Sequence, residues 1–256
     1  MTKKALMMAD MITCATWNIH RAKGGDGQID PDRILNALSD GVLPHQPDIL
    51  ALQEADTDRP PHAGILDLDA VGQTFCLRSI HDADHLLWGP ESHGFLGTIL
   101  FVRPEFEVRH AAVLDLPGHC HRGAVVAELN LPAGRLRVIS THLSLSQPLR
   151  IVQMRIIGQY MARRGPMQTL MLGDFNEWRP WGGFAFSKMI LGYQFAGCTR
   201  ATFPASCPLL PLDRIFSNAP GAVKKTEVIA THLTRMASDH LPLVSRVAVL
   251  RDPALD

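Results

Sequence analysis

Asp174 and Asn176 stand two positions apart where an apolar run, Met171-Leu172-Gly173, comes to its end. Alternation along an extended chain puts residues i and i+2 on one side, so the carboxylate and the carboxamide face the same way. An acid beside a neutral carboxamide suits hard-cation or water-handling chemistry, in which one group orients a nucleophile and the other holds a phosphoryl oxygen. Such a pair is also an ordinary turn former. Against the turn alone stands its recurrence: other extended segments deliver Asn18, Glu54 and His142 at their ends, and Asp213 and the pair Asp239-His240 adjoin two more.

Each of these side chains carries a requirement. Glu54 follows the apolar stretch Ile49-Leu50-Ala51-Leu52, and a carboxylate there needs a partner, a metal ion or the solvent at a strand terminus. His240 has an ordinary pKa near neutrality, and a carboxylate on its second ring nitrogen would fix its tautomer and raise its basicity. Asp213, in Leu212-Asp213-Arg214-Ile215, is the candidate for that carboxylate. Arg122 precedes a buried-looking strand and reads as a surface charge or a phosphate clamp. His119-Cys120-His121 lacks a second cluster at zinc-ligand spacing and reads as a loop. The glycine-rich stretch 21–28 lacks the spacing of a nucleotide phosphate loop and reads as surface.

The elements that must position these groups follow from the apolar pattern. Strands are expected over 11–17, 47–54, 135–140 and 168–173, with further extended segments around 202–204 and 211–216 and a closing strand after Pro242. Short extended pieces at 74–79, 85–88, 96–102, 107–114 and 123–129, separated by turn signals, suggest an antiparallel meander. Asp30-Pro31 opens a short amphipathic helix with Ile34, Leu35 and Leu38 on one face and Gly41 after its last turn. A second helix is expected from an N-cap at Ser146, with Pro148 in its first turn, Leu149, Val152, Ile156, Ile157 and Tyr160 on its core face, and Arg163-Arg164-Gly165 closing it.

With 256 residues and no linker-like composition, the chain reads as one domain over 1–256. Lys+Arg and Asp+Glu both total 25, which removes the global basic field of a bulk nucleic-acid binder but leaves room for a local basic cleft. Five scattered cysteines without a Cys-x-x-Cys pair read as reduced thiols, and with them a cytoplasmic location. The N-terminal Lys3-Lys4 and apolar residues stop at Asp10, short of a signal peptide, and no apolar run reaches the roughly 18 residues of a membrane span. No protein partner is predicted.

Taken together, Thr16-Trp17-Asn18-Ile19-His20, Leu52-Gln53-Glu54, Ser140-Thr141-His142-Leu143, Leu172-Gly173-Asp174-Phe175-Asn176, Leu212-Asp213-Arg214-Ile215 and Ser238-Asp239-His240-Leu241-Pro242 resemble the motifs of the endonuclease/exonuclease/phosphatase superfamily, in that family's order and over nearly the whole chain. The resemblance implies an α/β fold, a four-layered sandwich of two mixed β-sheets packed face to face with helices outside. It implies Mg2+ as cofactor, with Mn2+ as an alternative, held by Glu54 with Asn18 nearby and Asp239 as a further contact. By the same resemblance Asp174 orients or activates the attacking water, Asn176 binds the scissile phosphate, and His240 is held by Asp213. His142 stabilises a phosphoryl oxygen or the leaving group, and Arg122 falls where relatives place an arginine. Phosphoryl transfer needs a cation and fixed donors around its charged oxygens, which is chemistry this residue set can supply.

His20 and His142 stand where the abasic-site repair enzymes of the superfamily have an aspartate and a tyrosine motif. The resemblance is therefore nearer to the histidine-bearing branches, the deoxyribonucleases, sphingomyelinases and inositol-phosphate phosphatases, and above all to small bacterial members. It implies a soluble metal-dependent phosphodiesterase or phosphatase acting on a small or lipid-derived phosphate ester. A nuclease is the second reading, for which Arg21, Lys23, Arg59, Arg122, Arg150 and Arg179 would have to converge on a groove. A catalytically silent binding module is the third, and it would show a loss among Glu54, Asp174, Asp213 and His240, all of which are present.

Overall fold

The structure, a computed structural model, describes residues 10–118 and 122–251. The N-terminal segment, Cys120 and the His119-Cys120-His121 trio lie outside the described residues. Along the chain run β1 (Asp10–Asn18), α1 (Pro31–Ala37), β2 (Ile49–Gln53), α2 (Leu68–Phe75), β3 (Arg78–Ser79) and β4 (Ile99–Val102). Next come β5 (Glu107–Asp115), β6 (Gly123–Leu131), β7 (Gly134–His142), α3 (Gln147–Arg164) and β8 (Thr169–Asp174). The chain closes with α4 (Lys188–Leu191), β9 (Asp213–Ser217), β10 (Val223–Val228), α5 (His232–Ala237) and β11 (Leu243–Val249).

Two mixed sheets form, one in the order β10-β11-β1-β2-β4-β3 and one in the order β5-β6-β7-β8-β9. Between them lies an apolar layer that interleaves Cys14, Ile49 and Leu100 of the first with Val125, Val138 and Leu172 of the second. The outer face of the first sheet packs Trp17 and Leu52 against Ile34 of α1 and Val71 of α2, and the outer face of the second packs Ile139 and Met171 against Met154 and Ile157 of α3. Four layers result, as expected.

Each sheet contains one parallel pair, β1 with β2 and β7 with β8, in registers that set Asn18 beside Gln53 and His142 beside Asp174. Parallel neighbours exit at the same edge, so four polar termini gather there. β9 runs antiparallel to β8 and begins at Asp213 opposite Asp174, while β11 runs antiparallel to β1 with Leu243 opposite Thr16. Both therefore start at the edge where the others finish, and Asp213 and the Asp239-His240 pair join it.

Several local expectations need correction. Residues 74–79 are not a strand: Asp67 caps α2 by accepting the Ala70 amide, and the helix buries Val71 and Phe75 before only two residues pair as β3. His85–Trp88 is also not extended, because Asp84–Leu86 turns as a 3-10 segment tied by His81 Nδ1 to Leu86 O. The strand over 96–102 begins only at Ile99, since Leu96 and Gly97 hold left-handed backbones in a tight turn. The meander is real for β5-β6-β7, but the earlier pieces belong to the other sheet. Phe203 pairs with Leu210 through a single bridge, and the strand there starts at Asp213. Gly41 does not follow the first helix: it lies in a π turn over Leu38–Val42, where a Cβ would come 2.8 Å from Ile229.

α3 differs most instructively. Its buried positions are Arg150, Gln153, Met154, Ile157, Gly158 and Met161, while Val152 is exposed and Ser146 makes no side-chain capping bond. Two polar residues occupy the core face because they hold the loops of the edge described above: Gln153 accepts the Ser144 amide at 2.9 Å, and Arg150 donates to the carbonyls of Ser144 and Leu145.

Candidate active site

Asn18 ends β1 in one sheet and Asp174 ends β8 in the other, yet their side chains meet: Asn18 Nδ2 donates to Asp174 Oδ2 at 3.0 Å and reaches Glu54 Oε1 at 3.4 Å. Asn18 Oδ1 accepts the His20 amide at 3.0 Å, which fixes the carboxamide's orientation. Glu54 turns out of β2 in a left-handed conformation (φ 55°). Gly173 (φ 138°) runs so close to β7 that a Cβ there would fall 2.0 Å from Thr141 O. Only glycine fits, and the approach seats His142 beside Asp174 with Nε2 3.4 Å from Oδ2.

Asp174 Oδ1 accepts the Asn176 amide at 2.9 Å, and Asn176 Nδ2 donates to Leu143 O at 2.9 Å while touching Asp174 Oδ2 at 3.5 Å. His240 closes the ring of groups: Nδ1 lies 2.8 Å from Asp213 Oδ2 and Nε2 lies 3.8 Å from Asp174 Oδ2. Asp213 Oδ2 also accepts from Thr202 Oγ1 at 2.6 Å. A carboxylate can only accept here, so His240 donates from Nδ1 and turns Nε2 to the cleft. Trp17 Nε1 donates to His240 O at 2.9 Å, anchoring this loop to β1.

Eight of the nine sequence-predicted residues line one cleft, Asn18, Glu54, Arg122, His142, Asp174, Asn176, Asp239 and His240, and Asp213 stands behind His240. Arg122 donates through Nε to Leu143 O at 3.0 Å. Of the basic residues considered for a groove, Arg21 and Arg122 reach the cleft. Arg150 and Arg179 instead turn to the buried Glu177, at 3.4 and 2.7 Å. Thr202 and the contact of Arg21 with Glu54 escaped sequence reasoning, because neither partner is near in the chain.

A family model for the endonuclease/exonuclease/phosphatase family matches residues 15–240. The chain belongs to this family. Among relatives, it is 26% identical over 250 residues to the uncharacterised protein YbhP of Escherichia coli K12, covering 91% of this chain and 94% of that one. Among solved structures, a family protein from Bacteroides vulgatus superposes with a TM-score of 0.70 at 17% identity, covering 94% of this chain and 99% of the other. A mannosyl-6-phosphatase from Bacteroides thetaiotaomicron superposes with a TM-score of 0.65 at 16% identity, over 91% and 98% of the two chains.

In this family member the site's electrostatics divide two histidines. Burial pushes the Asp174 carboxyl up to about 6, against the opposing pull of the His240 imidazole. Burial also works against a charge on His240, but the carboxylates of Asp213 and Asp174 outweigh it and lift the imidazole to about 10. His142 goes the other way: burial, then the positive charges of Arg122 and His240, hold it well below the ordinary histidine value. One imidazolium and one neutral imidazole therefore face the same carboxylate at neutral pH.

Family members are generally divalent-metal dependent, and the residues here fit such an ion. Asp174, Asp213 and His240 each bring a ligand atom within 4.8 Å of the others. Asp213 Oδ2 is taken up by Thr202 and His240, while its Oδ1 is buried without a hydrogen-bond partner. Oxygens suited to a hard cation lie at Glu54 and at Asp239, whose Oδ1 is shielded from water without a hydrogen-bond partner, while Asn18 keeps its Oδ1 on the His20 amide and turns its Nδ2 to Glu54 and Asp174.

Proposed function

We propose that this chain is a single-domain, magnesium-dependent phosphoesterase that hydrolyses a small or lipid-derived phosphate ester by water attack. The observation that carries the reading is the convergence of Asn18, His142 and His240 on one carboxylate oxygen, Asp174 Oδ2, within 3.0 to 3.8 Å. Charge stabilisation at a phosphoryl oxygen is what magnesium supplies when held by Glu54, with Asn18 and Asp239 beside it.

The chain's own residues do the rest. Asp174, ionised above about pH 6, orients the attacking water and accepts its proton, while Asn18 and the Asn176 amide keep the carboxylate in place. His240 keeps its Nδ1 proton on Asp213 and offers the Nε2 proton to a phosphoryl oxygen or to the departing alkoxide. His142, neutral, serves the remaining oxygen. Asn176 binds the scissile phosphate once its 3.5 Å contact to Asp174 is released, beside Arg122.

Two observations support a small or amphiphilic substrate over a nucleic acid. Arg150 and Arg179 are committed to Glu177, which leaves no basic track from those positions. The cleft rim instead carries exposed apolar side chains, Leu145 (76%), Trp178 (54%) and Leu210 (37%). A fold neighbour that is a phosphatase supports monoester hydrolysis as within this fold's reach. Among the described residues no helix is long and apolar enough to cross a membrane. Free Cys14, Cys76, Cys198 and Cys207 suit a reducing cytoplasm.

The test is hydrolysis by the purified protein across plasmid DNA, RNA, sphingomyelin, glycerophospholipids, inositol phosphates and sugar phosphates, each with magnesium and with chelator. Chelator-sensitive cleavage of a lipid or small-molecule ester is expected. Cleavage of nucleic acid alone would replace this reading with the nuclease.

A further inference from the structure

Arg21 follows β1 within three successive left-handed residues, His20, Arg21 and Ala22 (φ 48°, 52° and 58°). Side chains rarely adopt this conformation, and a run of three persists only where surrounding bonds hold it. They do: the Arg21 amide donates to Glu54 O at 3.1 Å, and Ala22 N to Ile19 O and Lys23 N to His20 O close the turn at 2.9 Å each. The base of Arg21 is thus pinned to the backbone of Glu54. Its tip rests on the carboxylate of the same residue, with Nη1 2.5 Å from Glu54 Oε2, and Nη2 lies 3.3 Å from Asp58 Oδ1. Nε is shielded from water and has no hydrogen-bond partner.

The proposed function gives Glu54 to a divalent cation. A guanidinium on Oε2 and a divalent cation on the same carboxylate repel each other, which favours departure of the one that is able to move. The arginine can, because its side chain is 29% exposed while only its backbone is fixed. It also lines the cleft that a phosphate ester would enter, together with Arg122. A guanidinium fork matches two phosphate oxygens at once, which an ammonium does not.

We propose, building on that reading, that Arg21 is a ligand of the substrate's phosphate which rests on Glu54 until a divalent cation takes that carboxylate. Displacement swings the fork from a carboxylate to a phosphate without making or breaking a covalent bond. Metal loading and substrate binding are thereby coupled: the cation frees the arginine, and the arginine supplies the phosphate with a second positive partner.

Isothermal titration of the full-length protein with magnesium chloride, and then with inorganic phosphate in saturating magnesium, tests this on the wild type, Arg21→Gln and Arg21→Lys. Thermal unfolding in chelator first establishes that each variant is folded. Arg21→Gln should bind magnesium roughly fivefold more tightly, having lost the competitor, and phosphate about tenfold more weakly. Arg21→Lys keeps the charge but not the fork, so it should bind magnesium like the wild type and phosphate more weakly; it also carries the test should Arg21→Gln not fold. A folded Arg21→Gln with unchanged or weaker magnesium binding, or an Arg21→Lys with wild-type phosphate affinity, overturns the proposal and leaves the phosphoesterase reading standing. A wild-type protein that binds no divalent cation overturns both.

Discussion

Asn18 and Asp174, 156 residues apart, bond at 3.0 Å across the gap between two sheets. The hydrogen bond makes the placement of this carboxylate a property of the whole sandwich, since its donor comes from one sheet and its backbone from the other. Replacing Asn18 with Ala should therefore act on chemistry more than on stability. A fall in kcat on the order of 10²-fold or more is expected, with a stability loss of about 1–2 kcal/mol, measured by steady-state hydrolysis and urea unfolding.

The pH profile should show two limbs. Asp174 must be ionised and His240 protonated, so activity should rise as pH passes about 6 and fall as it approaches about 10. Asp213→Asn removes the carboxylate that most raises the imidazole, so the alkaline limb should move to lower pH, and because the same charge also raises Asp174 the acid limb should move down as well. Wild-type and Asp213→Asn kcat profiles from pH 5 to 10.5 decide it; an unmoved alkaline limb assigns that limb to another group.

Stability should carry the same signature. His240 is raised when folded, so its contribution is complete below its unfolded value of about 6.5 and disappears as pH climbs through about 10. Asp174 is raised as well, which for an acid means that folding loses stability as pH rises from about 3.9 through about 6. Urea midpoints of the wild type and His240→Gln should accordingly lie far apart at pH 6.5 and converge near pH 10.5.

Arg150 and Glu177, both buried, fasten the loop after β7 to the loop after β8, since the arginine also holds the carbonyls of Ser144 and Leu145. Arg150→Ala should cost about 3 kcal/mol, because Glu177 then keeps only Arg179 and two carbonyls lose a donor. Thermal unfolding with parallel kinetics would check it, and a kcat loss in the still-folded fraction would mark the loops' shared role in placing His142 and Asn176.

Gly173→Ala should be worse than its size suggests. The added Cβ meets Thr141 O at 2.0 Å and a backbone at φ 138°, so a destabilisation of at least about 2 kcal/mol is expected in urea unfolding.

The grouping of the candidate site's residues was largely legible in the sequence because each of the strands is a buried apolar run that stops at a polar residue, as at Leu52 before Glu54 and at Leu172 before Asp174. The parallel pairs that bring those ends to one edge are a topological fact, which the pattern of family motifs implied and periodicity alone could not. Other features were unreadable for local reasons. α2 was hidden because Asp67 as a cap and the Val71 and Phe75 spacing compete with a strand-like run at its end. α3 concealed its inward face because Arg150 and Gln153, polar by type, are buried to bind loops. Thr202 reveals its place against Asp213 only in three dimensions.

The most direct measurement is release of nitrophenol from p-nitrophenyl phosphate and bis(p-nitrophenyl) phosphate by the wild type and by Asp174→Asn, with magnesium and with chelator. Turnover of at least one ester by the wild type, abolished by chelator and reduced on the order of 10²- to 10⁴-fold in Asp174→Asn, is expected. Turnover that survives chelator, or an Asp174→Asn variant as active as the wild type, would contradict Asp174 as the group that activates water.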